Sequence, residues 1–199
     1  EGWGHLCRML TQANMRGEKG APDLRHEDLL EWGDLLSLAV LPNLAGDVEQ
    51  EMALLRLLKK RFGNALWLAV APAFGGSDHF RIEQAAAMAQ AVGLPLMATN
   101  DALYHVPGQR PLHDVLTAIR LNVPVAEAGF GLEANAERHL KTPIEMARLF
   151  RRHPEALAET LRFAASLHFS LKELQYNYPD EPTESGLGPQ AELERLTWE

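Results

Sequence analysis

The sequence predicts an α/β fold in which parallel strands pack against outer helices. Three features predict it. Short uninterrupted apolar runs occur at "LLSLAVL", "ALWLAVA" and "LPLMAT"; stretches of helical periodicity separate them; and the links between the two are brief. A parallel neighbour needs a crossover connection, and a helix supplies one, so strand–helix–strand–helix–strand with short links implies a parallel sheet with helices outside.

The elements follow in order. From Trp3 to Met15, Leu6, Met9, Leu10 and Ala13 recur at helical spacing and predict a helix with one apolar face. "RGEKGAPD" is a Gly- and Pro-rich turn, and Asp23 is available to cap a short helix over His26–Trp32. Leu35–Leu41 is the first apolar run, bounded by Asp34 and Pro42, and predicts a buried strand. Asp47 is expected to cap the next helix, which carries Met52, Leu55 and Leu58 on its stripe and runs to Lys60. "ALWLAVA" is the second strand. A helix from Asp78 to Val92 ends at Gly93, in a C-cap role, before the third strand "LPLMAT". "RPLHDVLTAIR" predicts a helix from about Pro111. "TPIEMARLF" carries Thr142 as cap, Pro143 at the first helical position and Glu145 completing a capping box. Another helix opens at Pro154. From Phe169 the texture turns polar, "YNYPDEPTESGLGP" reads as an extended linker, and "PQAELERLTWE" begins a further helix. The domain division expected is therefore 1–168, then an arm over 169–199.

Composition bounds the function. Of 199 residues, 46% are hydrophobic and 23% charged, which is a folded chain rather than a disordered tail. A net charge of −8 opposes strong non-specific binding to a phosphate backbone. Cys7 is the only cysteine, so an intrachain disulfide and a thiolate metal cluster are excluded; a reducing cytoplasm fits. Cys7 itself reads as a small apolar residue on a helix face. No apolar run has the length of a membrane span, and no leader pattern opens the chain. Both ends fall within helical patterns, so a segment of a longer protein is expected.

Parallel α/β folds gather functional residues at the C-terminal ends of their strands. Those ends are Pro42-Asn43, Pro72–Phe74 and Asn100-Asp101, and Asp101 is the one carboxylate placed directly there. His105 follows four residues later and His113 lies in the next helix. Asp and His together suit a divalent metal, but three or four ligands are needed and the other strand ends supply none beyond Asn43. The plainer reading, Asp101 capping its loop and His105 exposed, is favoured. "GGSDHF" resembles a phosphate cradle only weakly, and Ser77 or Asp78 as an ordinary N-cap is preferred. Arg148, Arg151 and Arg152, with His153, could touch a phosphate backbone or simply end a helix in solvent, where basic groups suit the macrodipole. His139, in "AERHLKT", carries no assignable role.

Taken together, "GWGHLCRMLTQANMRGEKG", "LAVLPNLAGD", "GLPLMATNDALYH", "RPLHDVLTAIR", "AGFGLEANAERHLKTPIEMARLFRRHPEALAETL" and "FSLKELQYNYPDE" resemble, in order and spacing, the amino-terminal region of bacterial C-family DNA polymerases. "EANAERHLKTPIEMARLFRRHPEAL" and "AELERLTWE" look most like the error-prone branch. The resemblance covers essentially the whole chain. It implies that 1–168 is the C-terminal part of a PHP domain, a distorted β/α barrel, and that 169–199 is the linker and first helix leading to the polymerase palm. It implies a DNA-directed polymerase engaged in synthesis past lesions, with Mg2+ held by palm carboxylates outside this stretch. Primer-template DNA, deoxynucleotides, a sliding clamp and mutagenesis accessory proteins are the implied partners, and no membrane. PHP domains of some relatives bind a metal cluster. On that comparison Asp101 matches a ligand position, while Leu103 stands where the family places a histidine. His105 would have to reach about one strand step, roughly 6–7 Å, further. The resemblance therefore implies a vestigial site at Asp101 and His105 and an absent or incomplete cluster. Two alternatives remain at this stage: a PHP-type metal-dependent phosphoesterase or nuclease, and a non-catalytic interaction module.

Overall fold

In the computed structural model, residues 1–175 and 185–198 are described. The expected linker therefore lies, over 176–184, outside the described residues. The chain divides into two compact units, Glu1–Leu167 and His168–Glu199.

The first unit is built on helices α1 (Gly2–Arg16) and α2 (His26–Trp32), followed by β1 (Leu38–Val40), α3 (Val48–Phe62), β2 (Leu66–Val70), α4 (Asp78–Val92) and β3 (Leu96–Ala98). Then come α5 (Arg110–Leu121), α6 (Pro143–Leu149) and α7 (Pro154–Ala165). The strands form a parallel sheet in the order β1-β2-β3, with Leu38 opposite Leu66 and Leu68 opposite Leu96. The α/β class and the parallel sheet are as the sequence predicts.

Strand side chains alternate between faces, and β2 shows both. Leu66, Leu68 and Val70 join Leu96 and Ala98 of β3 in one cluster with Leu55 and Leu58 of α3 and Ile82, Ala85, Met88 and Ala89 of α4. Both crossover helices thus cover the same face. Sequential parallel strands whose connections all turn with one hand deposit every helix on one side, so the sheet is singly wound. The other face of β2, Trp67 and Ala69, meets Met97 and the Phe163 ring of α7. Trp67 is buried there, with its Nε1–H donating to Glu159 (2.9 Å) and the Arg162 guanidinium over its ring. Alpha-7 also guards the outer edge of β3, where Thr160 donates its hydroxyl to the carbonyl of Ala98 at 2.6 Å.

Four local expectations change. The first strand is shorter and less buried than its apolar run suggests: Leu35 takes a left-handed backbone (φ 64°) and is 71% exposed. Among the described residues β1 pairs only with β2, so its far edge gains no neighbour to bury it. Asp23 does not cap α2; it binds the Arg25 guanidinium, and Asp28 reaches back from the first turn to accept the Arg25 backbone N–H (2.9 Å). Neither Ser77 nor Asp78 caps α4, because Asp78 turns away to accept the N–H groups of Ala73 and Phe74 (2.6 and 3.0 Å). The capping box on α6 is half made: Thr142 accepts the Glu145 N–H, but the Glu145 carboxylate is taken by Arg148. Asp47 caps α3 through the N–H groups of Glu49 and Gln50 as expected, and Gly93 takes the left-handed C-cap conformation at φ 72°.

The second unit contains a single turn at Leu171–Glu173, closed by reciprocal Ser170 and Glu173 side-chain bonds, and α8 (Pro189–Trp198). Leu193, Leu196 and Trp198 are exposed on α8. Among the described residues no helix is long and apolar enough to cross a membrane.

Candidate functional site

The C-terminal ends of β2 and β3 open onto a cleft of about 240 Å³ lined by Pro42, Pro72, Arg81, Asp101, Glu133 and Arg138, among others. Asp101 lies here with a left-handed backbone (φ 45°), a conformation Asp tolerates better than most residues. Its carboxylate receives Arg138 Nη2–H at 2.7 Å, and its carbonyl receives Arg138 Nε–H at 3.1 Å. The other arm of the same guanidinium donates to Glu133 Oε1 at 2.8 Å.

Arg138 belongs to a stretch, 133–141, that crosses the ends of both strands. The Asn135 amide donates to the carbonyls of Ala73 and Phe74 beyond β2, and the Asn100 amide beyond β3 donates to the carbonyl of His139. Leu103 N–H binds the Arg138 carbonyl (2.8 Å) and Leu140 N–H binds the Tyr104 carbonyl (3.2 Å), which makes Tyr104 and His139 a parallel bridge. The Lys141 side chain is almost wholly buried, with Nζ over the Phe74 ring and bonded to the Glu137 carbonyl. Arg110 of α5 ties in from the side, donating to the Glu133 carbonyl at 2.6 Å. Burial pushes the Tyr104 phenol up, so it remains a neutral donor facing the Asn135 carbonyl.

Asp101 is engaged by Arg138, while His105 is exposed beside exposed Leu103. Among the described residues no group of three or more His, Cys, Asp or Glu side chains is arranged to hold a metal ion. The Asp101 carboxylate is already committed to a guanidinium, which competes with any metal for it.

The arginines lie elsewhere. Arg148 and Arg151 line a separate cleft of about 280 Å³ with Phe74, Gly76 and His79. Arg148 is bound to Glu145 through both Nε and Nη2, and that guanidinium holds the Glu145 carboxyl below the usual range. Arg152 approaches Glu83 of α4 at 3.6 Å. His153 stands between Glu83 (3.3 Å) and Glu155 (3.2 Å), joining α4 to the start of α7. Cys7 is exposed on α1.

Sequence reasoning missed Arg138, Glu133 and Asn135. Their one visible signal is a concentration of charged and amide side chains in a stretch without periodicity, with Arg138 lying 37 residues from Asp101 and Asn135 lying 61 from Phe74.

No family model matches the chain. Curated relatives do. The chain is 72% identical over 200 residues to a protein of Mesorhizobium japonicum named error-prone DNA polymerase, an alignment covering 100% of the chain and 18% of that protein. It is 50% identical over 199 residues to one of the same name from Sinorhizobium medicae, with the same two shares. It is 45% identical over 197 residues, 99% of the chain and 18% of the relative, to one from Rhodopseudomonas palustris. The chain thus spans about 18% of the length of the curated relatives it matches, and it is homologous to that segment of them along its whole length.

Proposed function

We propose, from this homology to a segment of error-prone DNA polymerases, that the chain is a supporting part of such an enzyme from the bacterial C family. The observation that carries the reading is the 72% identity over all of the chain to a protein of that name. In this reading 1–168 is the C-terminal part of a PHP domain and 169–199 leads toward the palm. The singly wound sheet supports the barrel assignment, because sequential parallel strands with both crossover helices on one face are what a β/α barrel wall requires.

The full protein would join deoxynucleotides to a primer on a DNA template, including past lesions, in the cytoplasm. Its palm carboxylates, outside this stretch, would hold Mg2+. A sliding clamp and mutagenesis accessory proteins would be its partners. Arg148, Arg151 and Arg152 would make at most local contacts to phosphate, since the chain carries a net charge of −8 and two of the three already face carboxylates. Within the segment the role is structural: α3, α4 and the sheet form a rigid wall.

The phosphoesterase alternative needs Asp101 free to bind metal with His105, and the Arg138 ion pair speaks against it. An interaction module is favoured by the exposed apolar stripe of Leu112, Leu116 and Ile119 on α5, and is compatible with a supporting role. Two experiments test the reading. The full-length gene product should extend a primed template with deoxynucleotides and Mg2+; no extension would sink the polymerase assignment. Stoichiometric zinc or manganese that disappears with Asp101→Ala would establish the phosphoesterase alternative instead.

A further inference from the structure

We infer that Arg138 is the internal counter-cation of the strand-end mouth, holding the place between two carboxylates that a bound metal ion would otherwise fill, and that it thereby fastens 133–141 across the ends of β2 and β3. Three hydrogens of one guanidinium meet three oxygens: the Asp101 carbonyl (3.1 Å), Asp101 Oδ2 (2.7 Å) and Glu133 Oε1 (2.8 Å). Two carboxylates converging at one point repel unless a cation lies between them. A guanidinium suits that point because its planar fork serves several acceptors at once and stays charged at any physiological pH.

The anchor works through the backbone as well. The carbonyl of Arg138 accepts the N–H of Leu103, and its neighbours form the bridge to Tyr104. The residue that bridges the two carboxylates is thus the one that pairs the crossing stretch with the chain after β3. With Arg138 in place, Asp101 and Glu133 each have a cationic partner, and a divalent ion would have to displace a covalently tethered cation. The mouth is therefore a closed joint. This inference concerns the mouth alone and stands whether or not the full protein proves to be a polymerase.

Hydrogen exchange in the full-length gene product tests it, read at the Leu103 and Leu140 amides with the Leu68 amide of β2 as internal reference. Arg138→Ala should speed exchange at Leu103 and Leu140 by about tenfold or more while Leu68 is unchanged, as for a local opening. Adding Asp101→Asn and Glu133→Gln to Arg138→Ala removes the charges that need a cation, and should return both amides to within about threefold of the parent. Should Arg138→Ala alone unfold the domain, recovery in the triple variant supports the inference and failure to recover overturns it. Unchanged exchange in Arg138→Ala would also overturn it, as would equal loss in the single and triple variants, which would mean that Arg138 acts by bulk. So would slowed exchange of the unmodified protein on adding Mn2+, because a metal would then fit where Arg138 lies.

Discussion

The helix-clad face of the sheet and the mouth at its strand ends are held by opposite means. On the face, Leu68, Val70, Leu96 and Ala98 meet Leu55, Ile82 and Met88 with almost no polar atom among them. At the mouth, the contacts are ion pairs and amide bonds: Arg138 with Asp101 and Glu133, Asn135 with the turn after β2, Asn100 with His139. The face gains stability from removing apolar area from water and is indifferent to which neighbour supplies it. The mouth gains less and depends on named partners, since half-exposed ion pairs are screened by solvent. What the mouth secures is position: a stretch with no helix or strand of its own is fixed across two strand ends.

The sharpest way to break this contrast is to compare truncations on each side. Leu68→Ala, at a fully buried position, should cost about 2–5 kcal/mol in urea unfolding, whatever the salt concentration. A cost under about 1 kcal/mol would mean that the face is not the stabilising core. Arg138→Ala should cost less, roughly 1–2 kcal/mol, and the cost should shrink in high salt as an electrostatic effect must. A salt-independent loss would place Arg138 with the apolar residues instead.

Thr160→Val probes the boundary between the two regimes. It keeps the shape of the side chain but leaves the Ala98 carbonyl at the β3 edge without its donor, and should cost about 1 kcal/mol with little salt dependence. The smallest effect is expected far from both regions, at Asp28. The Arg16 guanidinium and then the Arg25 backbone N–H hold the Asp28 carboxyl below the usual carboxylate range. A depressed carboxyl contributes stability that is complete above its unfolded value, about 3.9, and is lost as pH falls through the lower folded value. Unfolding midpoints measured from pH 6 downward should therefore fall more steeply below about pH 4 in the parent than in Asp28→Asn. Parallel curves would remove Asp28 from the acid limb.

The same contrast explains what could be read from the sequence. Three apolar runs, the Asp47 cap and the Gly93 stop are local signals, and the sheet and its crossover helices follow from them. Where the capping signals failed, another nearby group had taken the side chain: Asp78 went back to the Ala73 and Phe74 amides, five and four residues earlier, rather than to its own helix, and Glu145 went to Arg148 one turn along α6. The apolar run at Leu35–Leu41 was misleading for a related reason, since continuous hydrophobicity does not tell an edge strand from a central one. Asp101 could be placed at a strand end because strand ends are visible, and Leu103 could be read beside it. Arg138 could not, because it lies 37 residues from Asp101, beyond α5, in a stretch that has no periodicity of its own. Closure of the mouth is a long-range fact and leaves no short-range pattern.

If the mouth is a charged joint and not a reaction centre, it should do no hydrolytic chemistry. The direct measurement is Mn2+- or Zn2+-dependent hydrolysis of a nitrophenyl phosphate ester by the full-length gene product, before and after Asp101→Ala. A closed joint predicts the same background rate in both proteins. Metal-dependent hydrolysis that vanishes with Asp101→Ala would contradict it and make Asp101 a ligand after all.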